Sequence, residues 1–164
     1  MSPQPIAPQP GQESVWSYPR PPRLELTEKP IQVVFNGEVI AETRRSMRVL
    51  ETSHPPVYYI PPDDIQMQYL IASTRSTYCE WKGAGSYYTV SVGDKQAVEV
   101  AWYYADPTPE FAAIANYVAF YAAAMEACYV DGEKVTPQPG NFYGGWVTSD
   151  IVGPFKGEPE SWGW

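Results

Sequence analysis

Two short segments gather most of the reactive side chains of this sequence. Glu51-Thr52-Ser53-His54-Pro55-Pro56-Val57-Tyr58-Tyr59-Ile60-Pro61-Pro62-Asp63-Asp64 holds the only histidine, and Cys79-Glu80-Trp81-Lys82-Gly83 sets a cysteine beside a lysine. A histidine titrating near neutral pH can act as general base or acid, and Glu51, three residues before His54, can orient it. The plainer reading of His54 is an exposed or turn-capping imidazole. Asp106 and Glu110 are further carboxylates for such a site, but nothing in the spacing ties them to it. Cys79 stands three residues before Lys82, and a nearby ammonium lowers a thiol pKa and makes it nucleophilic. If the segment is a strand, positions 79 and 82 face opposite sides, and a buried, inert cysteine is the commoner outcome. Lys82 with the amides of Gly83 and Gly85 can also bind an anion from a turn at 82–85. A turn with a solvated lysine accounts for the same residues.

The same region carries Tyr58, Tyr59, Trp81, Tyr87, Trp102, Tyr104 and Tyr121. Period-two spacing puts Trp102 with Tyr104, and Tyr87 with Thr89, on one face of a strand. Such a face can line a pocket for a flat or apolar ligand, with Glu51, His54 and Lys82 giving it polar direction. It can equally be core, because large rings favour strands.

The elements that must position these residues are mostly strands. Ile31–Phe35 and Glu38–Ala41 flank Asn36-Gly37, the strongest short hairpin signal, since both residues tolerate positive φ. Val49 to Ile60 reads as extended, broken at His54-Pro55-Pro56, and Pro62 to Leu70 has room for a helical turn begun by Asp63 and Asp64. Ser76–Trp81, Tyr87–Val92 and Lys95–Tyr103 read as strands, the last two joined at Gly93-Asp94. Thr108-Pro109-Glu110 predicts one short helix near residues 109–116, with Thr108 as N-cap and Asn116 in the left-handed position that ends it. Tyr117–Tyr121 is strand-like, with the alanines after it as a competing helical extension. Ala127–Val130 and Glu133–Val135 form a last hairpin around Asp131-Gly132. No internal repeat is present. The expectation is a mainly β fold of compact antiparallel sheets, sandwich-like or tent-like, with small helical content.

Three regions follow. Residues 1–13, rich in Pro, Gln and Ser, read as a flexible arm. Residues 14–135 read as a single β-rich domain that includes the strap Trp16–Arg23, where prolines forbid a helix and rings resist exposure. Residues 136–164 read as a wrapping tail anchored by its aromatics. With 164 residues and 44% apolar content, the chain has room for one domain with a proper core.

A net charge of −8 and the lack of a basic cluster beyond Arg44, Arg45 and Arg48 argue against a nucleic-acid binder. No apolar run is long enough to span a bilayer, and Met1–Pro5 does not resemble a signal peptide. Two cysteines imply no disulfide framework. A soluble cytoplasmic protein is the expectation.

Several of these segments together are similar to a bacterial family, domain of unknown function 427. They are Phe35–Ala41, the Glu51–Asp64 block, Cys79–Gly83 with Tyr87, Ala101-Trp102-Tyr103-Tyr104 with Pro107, and Tyr117–Tyr121, so that the resemblance covers roughly residues 31–135. The family in turn resembles tent-like β proteins such as methionine sulfoxide reductase B and the ligand domain of cereblon. Those relatives commonly hold a structural zinc on four cysteines. Two distant cysteines, Cys79 and Cys128, cannot build that site, so neither structural zinc nor another cofactor is expected. Methionine sulfoxide reduction would also need a resolving thiol, which Cys128 supplies only if the fold brings it to Cys79. A nucleotidyltransferase label attached to the family finds no support in the residues: there is no Gly-rich phosphate loop, and Asp63-Asp64 are explained as helix-start residues.

The function expected from the sequence is binding of a small flat or apolar molecule on the aromatic face near Glu51, His54, Cys79 and Lys82, with no reaction singled out. The alternative is a non-catalytic module in which the Pro-rich arm and the Trp-Gly-Trp terminus dock a protein partner or a second copy of the chain.

Overall fold

Alternating apolar and polar residues produce fifteen strands, most of them short, in the computed structural model, which describes residues 3–140 and 142–164. Met1 and Ser2 of the expected arm, and Asn141 of the expected tail, lie outside the described residues. The strands run β1 (Glu13–Ser14), β2 (Arg23–Thr27), β3 (Ile31–Phe35), β4 (Glu38–Thr43), β5 (Ser46–Leu50) and β6 (Val57–Tyr59). Then come the long meander β7 (Leu70–Cys79), β8 (Gly83–Val92) and β9 (Lys95–Tyr103), and β10 (Val118–Phe120). The last are β11 (Ala127–Val130), β12 (Glu133–Lys134), β13 (Thr136–Pro137), β14 (Trp146–Val147) and β15 (Ile151–Val152).

The hairpins form where the turn chemistry predicts. Asn36 and Gly37 take φ of 47° and 80°, and Asp131 and Gly132 take 51° and 80°, both residues left-handed as a tight two-residue hairpin requires. The turn expected at 82–85 lies earlier, at 80–82, because Gly83 and Gly85 are already in β8, opposite Cys79 and Thr77. The expected helix at 109–116 is a run of 3₁₀ turns over Pro109–Ile114, kinked at Phe111. Thr108 does not cap it with its side chain; its hydroxyl donates instead to the Trp81 carbonyl at 2.6 Å. Asn116 does end the segment left-handed, at φ 64°. The alanines after β10 form only a single 3₁₀ turn, Ala122–Ala124.

One sheet has the order β10-β9-β8-β7, a second β2-β5-β6. Reciprocal 2.9 Å bonds between Ile60 and Val118 join them edge to edge, so seven strands make one curved surface. A third sheet, β12-β11-β3-β4, covers one side of it. Between them lies the main core, built on Ile31, Val33 and Phe35 of β3, Ile40 of β4, Val90 and Val92 of β8, and Phe120 of β10. The opposite side of the seven-strand surface carries a second, more aromatic cluster with Tyr59, Tyr87, Trp102, Tyr104, Phe111 and Ile114. The division follows strand alternation: Tyr58 and Ile60 point to the main core and Tyr59 to the aromatic cluster, Ala101 to the former and Trp102 to the latter.

The strap and tail close the ends. β1 pairs in parallel with β15, and the Trp16 indole donates to the Pro154 carbonyl while meeting Trp164 edge-on at 5.4 Å. The buried Arg48 guanidinium ties β1 to the domain, donating to Glu13 at 2.7 Å and to Glu25 at 3.0 Å.

Candidate functional site

The aromatic side of the seven-strand surface is not fully filled. It holds a cleft of about 360 Å³ lined by Tyr59, Tyr87, Trp102, Tyr104 and Tyr121, with Glu51 and His54 at one wall and Cys79, Trp81 and Lys82 at another. These residues come from β6, β8, β9, the segment after β10, the turn before β6, and the end of β7 with its following turn. Tyr58 is the exception among the rings expected there. As Tyr59's neighbour in a strand it faces the other way, stacked on Trp146 at 5.2 Å in the main core.

His54 sits in a turn clamped on both sides. Ser53, fully buried at φ 72°, accepts from the Lys156 amide of the tail and donates its own amide to Val15 of the strap. The imidazole Nδ1 lies 2.9 Å from the Thr52 carbonyl, which can only accept, so Nδ1 carries the proton and Nε2 is the free acceptor. Glu51 lies 3.9 Å from Nδ1 and 3.5 Å from the Arg20 guanidinium of the strap. Burial holds the His54 pKa below its usual value and the Glu51 charge only partly opposes this, so the ring is neutral at neutral pH. The Tyr143 ring packs against it at 5.3 Å.

Cys79 is half-buried at the end of β7, beside the turn that carries Lys82. The Lys82 ammonium lies 5.8 Å from the Tyr104 ring centre and 5.9 Å from that of Phe111. Expected anion binding by the amides of Gly83 and Gly85 loses its basis, because both residues lie in the β7–β8 ladder rather than in an open loop. Cys128 is sealed in the main core opposite Val33, where burial pushes its thiol up to about 12. Cys79 belongs to the aromatic cluster on the other side of the sheet, so the fold does not pair the two thiols. Asp106 and Glu110 do not line the cleft.

At the floor, the Trp102 indole donates to the Tyr59 hydroxyl at 3.1 Å, and Tyr121 packs on Trp102 at 4.6 Å. Burial raises the hydroxyl pKa values of Tyr59 and Tyr104, so both phenols stay protonated. The roof comes from the tail. Gln138 accepts from the Gly145 amide at 3.0 Å, and Tyr121 donates to the Phe142 carbonyl at 3.1 Å, which lays 142–145 over the indole.

Sequence reasoning missed these roof residues, together with Thr77 of the cleft and Arg75 beside it, which lines an adjoining hollow. Counting back by twos from Cys79 along β7 reaches Thr77 and Arg75, a usable signal. Both neighbours of β8 bulge at the same level, β7 across Ser73–Arg75 and β9 across Val98–Val100. The Ser73 hydroxyl donates to the Glu99 carboxylate between the two bulges. The β7 bulge carries the Arg75 guanidinium over the Tyr87 ring, 4.4 Å from its centre.

A family model described as a domain of unknown function, DUF427, matches residues 23–131. The chain belongs to the DUF427 family. The matched span supplies Glu51, His54, Cys79, Lys82 and all the sheet rings of the cleft, whereas Gln138, Phe142, Tyr143 and Gly144 lie beyond it. The roof therefore lies outside the matched span. No curated protein matches the chain.

A larger hollow of about 630 Å³ lies on the outer side of the third sheet, lined by Gln32, Glu42, Arg44, Arg45 and Asp64 among others. Most of its polar groups are engaged with one another: Gln32 donates to Glu42, and Arg45 and Thr43 both donate to Asp64. Asp64 thus has a structural role, and Asp63 beside it is exposed. Arg45 holds the Asp64 carboxyl below its usual pKa. Volume alone does not make that hollow the better site. The aromatic cleft joins apolar walls to polar groups that remain open to a ligand. Among the described residues, no cluster of three or more His, Cys, Asp or Glu is arranged to hold a metal ion, and no helix is long and apolar enough to cross a membrane.

Proposed function

We propose that this DUF427 protein binds a small, flat, largely apolar molecule in the aromatic cleft. One observation carries the reading: six tyrosines and two tryptophans from several elements surround an open volume of about 360 Å³ instead of filling it. Ring faces offer stacking and edge contacts worth about 0.5–1.5 kcal/mol each beyond simple burial. His54 Nε2 and Lys82 supply an acceptor and a cation for orientation. Native mass spectrometry of the protein purified from its own host, compared with the same sample denatured, tests this. A small molecule released on denaturation is the expected result. A bare chain that also shows no tryptophan fluorescence change with any of a panel of bicyclic aromatics refutes it.

Trp162 favours a second reading, a non-catalytic interaction module. It is 89% exposed although Trp16, Trp146 and Trp164 of the same strap and tail are packed. On that reading Trp162→Ser lowers the mass seen by light scattering or removes a co-purifying polypeptide. Unchanged mass and composition dismiss it.

A further inference from the structure

Building on the aromatic cleft as a ligand site, we propose that its ligand is a planar aromatic bearing one negative charge, in chemical class an aryl carboxylate. One cation, Lys82, stands at the cleft wall with no carboxylate at ion-pair distance among the described residues. Lys82 lies over the rings of Tyr104 and Phe111, whereas Arg75, over Tyr87, lines an adjoining hollow. Arg20, Arg23, Lys29, Arg45 and Arg48 pair with carboxylates, whereas Arg44, Lys95, Lys134 and Lys156, which lie outside the cleft, show no such pair among the described residues.

The fold also keeps nearby carboxylates occupied. Glu51 faces Arg20 and the His54 ring, and Glu99 accepts the Ser73 hydroxyl across the two bulges. Glu80 is exposed. A half-buried ammonium that rests only on ring faces has cation–π attraction but no charge partner. An aryl carboxylate supplies that partner through a charge-assisted hydrogen bond while its ring lies in the cleft against the rings that line it. A neutral isostere gains only the ring contacts, and a cationic one meets repulsion from Lys82.

The test is calorimetric titration of the full chain with 2-naphthoate, 2-naphthamide and 2-naphthylmethylammonium, three probes of one shape and three charges. Naphthoate should bind about tenfold or more tighter than the amide, a factor typical of one well-placed charged contact. Lys82→Gln should reduce naphthoate to the amide's affinity and leave the amide unchanged. The three-probe comparison on the unaltered chain does not depend on any variant folding. If the amide or the ammonium binds as tightly as naphthoate, or if the naphthoate preference survives Lys82→Gln, the anionic ligand is wrong while the aromatic site stands. If none of the three binds up to millimolar concentration, both the anionic ligand and the cleft as a binding site fall.

Discussion

Gly144 lies so close to the Trp102 indole that a methyl group on its Cα would sit 2.2 Å from Cη2. Only hydrogen fits, and that absence of a side chain lets the tail lie flat on the ring that floors the cleft. Gly144→Ala therefore forces the roof away from Trp102. The expected cost is about 1–3 kcal/mol, the range for overpacking a filled site. Thermal melts and the near-ultraviolet circular dichroism of the tryptophans report it together. An alanine variant with an unaltered melt and aromatic spectrum would show that the tail does not rest on the indole.

Removing the Tyr59 hydroxyl leaves the buried Trp102 N–H without its acceptor. Tyr59→Phe should cost about 1–3 kcal/mol, the penalty for a buried donor left unsatisfied. Urea unfolding of the variant measures it. A midpoint unchanged within error would mean that the indole finds another acceptor.

His54 makes stability fall on mild acidification. Burial lowers its folded pKa, while the unfolded chain takes the proton near pH 6.5. Between those two values the unfolded state binds more protons, so stability is retained above about pH 6.5 and declines as pH drops toward the folded pKa. Asp64 acts in a separate, more acidic window: its carboxyl is depressed chiefly by Arg45, so its contribution is present above about pH 4 and lost below. His54→Gln should flatten the loss between about pH 7 and pH 5 and leave the lower one in place. Urea midpoints across that range, variant against parent, decide the matter; parallel curves would remove His54 as the cause.

The two cysteines differ in access. Cys79 lines the cleft and Cys128 is sealed in the main core. One thiol per folded chain should react with an aromatic disulfide reagent at mildly alkaline pH, and two in urea. Cys79→Ser should abolish the native reaction. Two native thiols reacting at similar rates would show that the core opens.

Much of the fold was legible because its signals are local. Asn36-Gly37, Gly93-Asp94 and Asp131-Gly132 turn the chain through their own backbone preferences, and each does so in the structure. The Thr108-Pro109 start was half legible: Pro109 begins the turns, but Thr108 gives its hydroxyl to Trp81, a partner 27 residues away in sequence. Arg75 was half legible too. Two extra residues in β7 leave its alternation intact, so period two sets Arg75 on the face of Thr77 and Cys79 while no sequence pattern marks the bulge that swings the guanidinium over Tyr87.

By itself the sequence determined that the chain is β-rich, where its hairpins turn, and that a block of rings, a histidine, a cysteine and a lysine must be carried on neighbouring strands. Those properties depend on period-two alternation and on φ preferences, which act within a few residues. Tertiary structure alone decided that Tyr59 rather than Tyr58 faces the cleft, that Cys79 and Cys128 lie on opposite sides of a sheet, that Gly144 roofs Trp102, and that Lys82 has no carboxylate at ion-pair distance among the described residues. Alternation states only that neighbours point apart. Which face becomes core and which stays open depends on what packs against it, and here the third sheet fills one side while a glycine-bearing tail only roofs the other.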